Sequence, residues 1–180
     1  MVVDDDPFWS VVRRRHPDVD IVLLPPDGRA QGQGDGAGTT STASLDLVRA
    51  AADGVVAAWS LLRPLVAEAG ATEQPSVRWG SGGGDEVALV IEKAVAGIGQ
   101  ESGTALLREI TATLARAGWR LRPGMRGDLP LLEATDGHTD VVAVAGPGAT
   151  VLTIASGVLP VADPDRETAA DEVRAVVGSW

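Results

Sequence analysis

Apolar residues recur at helical spacing in four stretches of the chain, and each stretch predicts a helix. The predicted helices cover residues 6–16, 44–69 and 104–117 and a last segment that opens at Asp163. Gly70 and Gly118 follow the second and third helices, at the position where glycine commonly ends a helix. Pro64 lies inside the second helix and is expected to kink or divide it, since proline removes a backbone donor.

Short apolar runs between turn residues predict the strands. They cover residues 19–24, 77–79, 87–91, 131–135, 141–145 and 150–158, with a further strand beginning at Trp119. A glycine-rich turn joins the second run to the third, which is typical of a hairpin. Helix followed by hairpins occurs twice, and this favours an α+β fold in which antiparallel sheet packs against three to four helices. We expect a single domain over residues 1–180, with a flexible glycine-rich loop at about 27–43.

Composition and charge limit the function classes. The 180 residues are 44% apolar and carry a net charge of −10, as expected of an acidic globular domain. The absence of cysteine from the sequence excludes disulfide scaffolds, zinc fingers and thiol enzymes. The acidic balance argues against a nucleic-acid partner, because phosphate binding needs a basic face. No apolar run is long enough for a membrane span and the first residues lack a signal-peptide pattern, so we expect no membrane partner and a cytoplasmic location.

The segment 136–140 is the strongest candidate for metal chemistry. Asp136, His138 and Asp140 alternate along the chain and could offer two carboxylates and an imidazole to an ion. Asp136 followed by Gly137 between two apolar strands is also typical of a hairpin turn, and we favour that interpretation. Because the chain contains two histidines and no matching catalytic pattern, we expect neither enzyme activity nor a cofactor.

The segment 97–103 is the strongest candidate for a binding loop. It lies between a strand and a helix and places Gln100 and Glu101 between glycines. One interpretation is a plain connection in which Ser102 or Thr104 caps the helix. The other is a polar loop that projects from a rigid scaffold, an arrangement typical of inhibitors.

Several segments also carry a family resemblance. They are residues 114–121, residues 75–80 leading into 87–90, and residues 7–10 together with 15–21. These segments resemble the immunity proteins of actinobacterial polymorphic toxins, in particular the type that neutralises the tuberculosis necrotizing toxin, an NAD-hydrolysing enzyme. The resemblance implies a cytoplasmic inhibitor that plugs the NAD site of a cognate toxin. From the resemblance and the loop character, we expect the toxin contacts at Gln100, Glu101, Ile98 and Ser102, with Gln100 foremost.

Two other functions remain open on the sequence. A secretion chaperone or adaptor would hold a segment of an exported partner in an apolar groove. A metal-dependent hydrolase would use the segment 136–140. We favour the immunity role, because an inhibitor needs no catalytic set and because an acidic surface suits a toxin with a basic surface.

Overall fold

The computed structural model describes residues 42–83 and 85–178. These residues confirm the predicted fold class, since a six-stranded antiparallel sheet packs against three helices. The helix predicted at 6–16, the strand at 19–24 and most of the loop at 27–43 lie outside the described residues. None of the described helices is long and apolar enough to cross a membrane.

The described helices are α1 (Leu45–Glu68), α2 (Gln100–Arg116) and α3 (Asp163–Val177). Ser44 caps α1, because its hydroxyl accepts from the backbone N–H of Leu47 at 3.4 Å. Of the two outcomes predicted for Pro64, a kink or a division, the division does not occur, and α1 continues through this residue to its last turn. Leu62 and Val66, on either side of Pro64, are fully buried, and their packing holds the helix together there.

The strands are β1 (Ser76–Gly83), β2 (Glu86–Ala96), β3 (Arg120–Arg126), β4 (Leu129–Thr135), β5 (Thr139–Ala145) and β6 (Ala149–Ser156). Their order in the sheet is β1-β2-β6-β5-β4-β3, and every neighbouring pair is antiparallel. The first two strands form the predicted hairpin, and the last four form a meander in which each strand turns back beside the one before. The hairpin and the meander are joined where β2 pairs with β6.

The junction between β2 and β6 lies inside the sheet, between its second and third strands. Ile91 of β2 is opposite Ile154 of β6, and both side chains are buried. The pairing extends beyond the end of β6, where Val87 and Leu159 exchange two backbone hydrogen bonds of 2.9 and 2.8 Å. The junction is therefore held both by a backbone ladder and by apolar packing.

The three helices all pack on one face of the sheet, and the core lies between them. The buried core side chains include Val55, Trp59, Leu62 and Val66 of α1, Ile110 and Leu114 of α2, and Val173 of α3. On the sheet, burial alternates with the period of two that a strand imposes, so that Val141, Ala143 and Ala145 of β5 face the helices. Gly103 of α2 is buried against β5 and β6, where a side chain would collide with Thr150.

β1 and β2 extend beyond the runs 77–79 and 87–91 that predicted them, and β3 runs from Arg120 to Arg126. β2 continues past Ile91 to Ala96, and its run is interrupted by Lys93, which is buried and donates from Nζ to the carbonyl of Glu73 at 2.5 Å. A lysine whose ammonium group donates to a backbone carbonyl can be accommodated on the helix-covered face of the sheet. Because lysine is charged, a prediction based on apolar runs ends this strand too early. β3 continues through Pro123, which the sheet tolerates because β3 is an edge strand.

The glycine stops predicted after two helices are confirmed, and both helices end in the same hydrogen-bonding motif. After α2, the N–H of Gly118 donates to the carbonyl of Ala115 and the N–H of Trp119 donates to that of Leu114, each at 3.0 Å. This is the Schellman arrangement, which needs a left-handed residue just past the helix. Gly118 has a φ of +81°, and Gly70 has the equivalent position after α1 with a φ of +91°.

The left-handed conformation at Gly118 predicts a cost for any side chain there. Gly118→Ala should lower the free energy of unfolding by about 1–2 kcal/mol, because L-residues are strained in this region. Gly124→Ala is the matched control, since Gly124 lies in β3 without a positive φ and a Cβ at either position would meet nothing within 4 Å. Urea unfolding measures both variants, and an equal loss in the two would contradict the explanation from backbone conformation.

Two buried hydroxyls of β6 predict opposite responses to their removal. The Ser156 hydroxyl accepts from the N–H of Leu89 at 3.0 Å and donates to the carbonyl of Gly157 at 2.9 Å. The Thr150 hydroxyl is buried and has no hydrogen-bond partner among the described residues. Ser156→Ala should therefore cost about 1–3 kcal/mol in urea unfolding, whereas Thr150→Val should be neutral or stabilising. A larger loss for Thr150→Val than for Ser156→Ala would contradict this assignment.

Candidate functional site

Residues 97–103 form a short connection and the first turn of α2 rather than a projecting loop. Gly99 is the N-cap, in an extended conformation, and it makes no side-chain capping bond. The Thr104 hydroxyl donates to the carbonyl of Gln100 at 2.7 Å, so that neither Ser102 nor Thr104 caps the helix. The prediction that this helix begins at Thr104 is wrong by one turn, because glycine is itself an acceptable N-cap.

Gln100 and Glu101 lie on that first turn of α2 and differ in their contacts. Gln100 donates from Nε2 to the backbone carbonyl of Asp128 at 3.0 Å, which ties the start of α2 to the turn between β3 and β4. Glu101 is exposed, and its carboxylate is favoured by the positive end of the helix dipole. Gln100 therefore has a structural contact within the chain, while Glu101 is accessible to a partner.

A groove of about 670 Å³ lies between the end of α1 and the first half of α2. We call it the α1–α2 groove, and it is lined by Leu65, Glu68, Ala69, Ile98, Ser102, Ala105, Leu106 and Glu109. The structure thus brings together Ile98 and Ser102, two of the four residues predicted to contact a partner. Gln100 and Glu101 do not line the groove, although they belong to the same turn of helix as Ser102.

The α1–α2 groove combines an apolar floor with a negative rim. Leu65, Ile98 and Leu106 supply apolar surface, and Glu68 and Glu109 supply the charge. Both glutamates are exposed, and neither forms an ion pair with a described residue. A surface of this kind suits a positively charged partner that also has an apolar side.

Sequence reasoning did not identify the two glutamates or Leu65 as part of a site. Leu65 and Glu68 come from the end of α1, about thirty residues before Ile98, and only tertiary packing brings them to the same place. The usable signal was the edge of the apolar stripe on α1, where Leu65 is half-buried.

The segment 136–140 is the predicted hairpin turn. Asp136 accepts through Oδ1 from the backbone N–H groups of His138 and Thr139, each at 2.8 Å. Asp140 belongs to β5 and lies between Thr135 and an alanine of β6 in the register. Among the described residues, no group of three or more histidine, aspartate or glutamate side chains could hold a metal ion. The turn itself accounts for Asp136.

The face of the sheet opposite the helices carries a second depression, of about 500 Å³. It lies on β3, β4 and β5, and its charged side chains are Arg120, Arg122, Glu133 and Asp140. Sequence reasoning gave no role to these arginines, because their common orientation follows from the pairing register and not from any local motif.

The chain has been compared with known proteins at three levels. No protein-family model, no curated protein and no solved structure matches it. The immunity-protein resemblance therefore rests on the short segments quoted above, and its functional consequences are proposals.

The turn contacts of Asp136 predict a structural role for its carboxylate. Asp136→Ala should destabilise the protein by about 1–2 kcal/mol, because two backbone N–H groups lose their acceptor. Asp140→Ala, at an exposed position two residues after His138, should change the free energy of unfolding by less than about 0.5 kcal/mol. Urea unfolding with and without added zinc measures both. Stabilisation of the wild type by zinc that Asp136→Ala abolishes would instead assign the segment to metal binding.

Proposed function

We propose that this chain is an immunity protein that binds a cognate secreted toxin domain and blocks its active site. The observation that carries the proposal is the α1–α2 groove, because it combines an apolar floor with two glutamates that form no ion pair with a described residue, and because it includes Ile98 and Ser102. The NAD-hydrolysing character of the toxin comes from the family resemblance alone. Cytoplasmic location belongs to the same proposal, since a toxin has to be neutralised before export.

The negative charge of this chain favours a positively charged partner both at contact distance and at longer range. At contact distance, Glu68 and Glu109 face the occupant of the groove without competing ion pairs among the described residues. At longer distance, the net charge of −10 attracts a positively charged protein and speeds encounter. Glu101, on the neighbouring turn, adds to the same negative region.

The polar lining of the groove favours binding over catalysis. Among the described residues that line the groove, the polar and charged ones are Glu68, Glu109 and Ser102, and none is a histidine, lysine or arginine. A serine nucleophile needs an adjacent base, which in most enzymes is a histidine. We therefore propose that these side chains recognise a partner, and that the protein acts by occupying the partner's site.

Charge reversal at the groove provides the test. The double variant Glu68→Lys with Glu109→Lys should weaken inhibition of the cognate toxin domain by roughly tenfold or more, because two attractive contacts become repulsive. Glu167→Lys with Glu172→Lys on α3 makes the same change in net charge at exposed positions away from the groove. The measurement is residual activity of the cognate toxin domain, whose gene we expect beside the gene of this chain, against inhibitor concentration.

The control pair separates local contact from overall steering. Equal weakening in both double variants would assign the effect to net charge and contradict the groove as the contact surface. Full toxin activity in the presence of excess wild-type protein would contradict the immunity function itself. Tight binding without inhibition would favour the chaperone or adaptor function in its place.

A further inference from the structure

The sheet face that the described helices leave uncovered is unusually apolar for an open face. Antiparallel sheets with one solvated face normally alternate polar residues outward. Here the outward positions that are not buried include Ala94 of β2, Leu131 of β4, Val142 and Val144 of β5, and Val151 of β6. Val151 is itself exposed. A face with this composition is typical of a surface that another molecule covers.

The same face carries a row of arginines along its outer strand. Arg120, Arg122 and Arg126 all point outward from β3, because alternate residues of a strand share a face. Arg122 has a weak ion pair with Glu133, at 3.9 Å between Nη1 and Oε2. Arg120 and Arg126 have no ion pair with any described residue. In a chain with a net charge of −10, this edge is a local region of positive charge.

The arginine row borders the 500 Å³ depression. Arg120 and Arg122 form one side of it, and Val142 contributes to its apolar surface. Guanidinium groups bind carboxylates through two parallel hydrogen bonds, which makes them suited to Asp and Glu side chains. Glu133 and Asp140 line the same depression and Glu133 pairs with Arg122, so the arginines available for an incoming carboxylate are Arg120 at the edge of the depression and Arg126 outside it.

We infer that the face of β3 to β6 opposite the helices, which we call the arginine face, is a docking surface for an acidic, partly apolar segment of another protein. Charge complementarity selects this occupant, because Arg120 and Arg126 form no ion pair with a described residue, while Val142, Val144 and Val151 present apolar surface on the same side of the sheet. The inference is independent of the α1–α2 groove, which lies on the helix side and has the opposite charge.

A second copy of the chain is a poor occupant of this face. Arginines stand on both outer strands, Arg78 on β1 and Arg120 on β3, and glutamates stand one strand inside them, Glu92 on β2 and Glu133 on β4. If two copies packed these faces together about a twofold axis parallel to the strands, β1 of one copy would lie over β3 of the other, and β2 over β4. It would bring arginine against arginine and glutamate against glutamate, which is repulsive.

The test uses a labelled peptide in which glutamate alternates with valine, together with matched peptides that carry lysine or glutamine in place of glutamate. Fluorescence anisotropy with the full chain should give binding of the glutamate peptide that is stronger than that of either control and weaker at high salt. Arg120→Glu with Arg126→Glu should weaken it by roughly tenfold, since two attractive contacts are reversed. Val151→Gln should weaken it several-fold through lost apolar contact.

Matched variants show whether the peptide binds to the arginine face or responds only to the net charge of the protein. Arg49→Glu with Arg108→Glu changes the net charge equally at exposed helix positions and should leave the affinity unchanged. Equal weakening in this control, or no preference for the glutamate peptide, would overturn the proposal. A dimer in light scattering that Arg120→Glu with Arg126→Glu dissociates would assign the face to a second copy. A marked fall in the melting temperature of the free protein with that variant would assign the arginines to contacts within the chain, and would also overturn it.

Discussion

The pairing of β2 with β6 is the interaction on which the rest of this structure depends. It joins a local hairpin to a four-stranded meander, and α2 and about fifty residues of chain separate the two partners. Ile91 and Ile154 bury the centre of the junction, while the Ser156 hydroxyl adds a bond to Leu89 on the same ladder. Because this pairing is non-local, its loop-closure entropy has to be offset by the core that the helices complete. The sheet and the helix layer are therefore mutually dependent.

Local chemistry accounts for the parts of the fold that the sequence predicts well. Glycine after a helix and an Asp-Gly dipeptide between apolar runs dictate chain reversals within a few residues, so the stops at Gly70 and Gly118 and the turn at Asp136 could be predicted. The errors lie where tertiary packing overrides the local pattern. Lys93 is buried, and its charge interrupts the apolar run by which the second half of β2 could have been predicted. Packing against the core keeps α1 helical through Pro64.

The candidate sites divide along the same line. A local pattern drew attention to the segment containing Ile98 and Ser102, and both residues do line the α1–α2 groove. Glu68 and Glu109, which give the groove its charge, join it through the packing of two helices that no local motif specifies. The arginine face depends on strand register as well, since a shift of one residue in β3 would turn Arg120 toward the helices. Binding surfaces built from separate elements thus cannot be predicted from local sequence patterns, whereas turns can.

The chain has a single lysine, Lys93, and the fold leaves it only 4% exposed. Reagents that acylate primary amines need access to the Nζ atom, so the folded protein shields this side chain from them. Lys93 lies opposite Leu152 across the junction between β2 and β6. Its acylation would therefore report transient openings that release Nζ from the carbonyl of Glu73 and expose the core side of β2, free of the background that surface lysines give in most proteins. One buried amine thus makes the local opening of the core beside β2 observable by mass spectrometry.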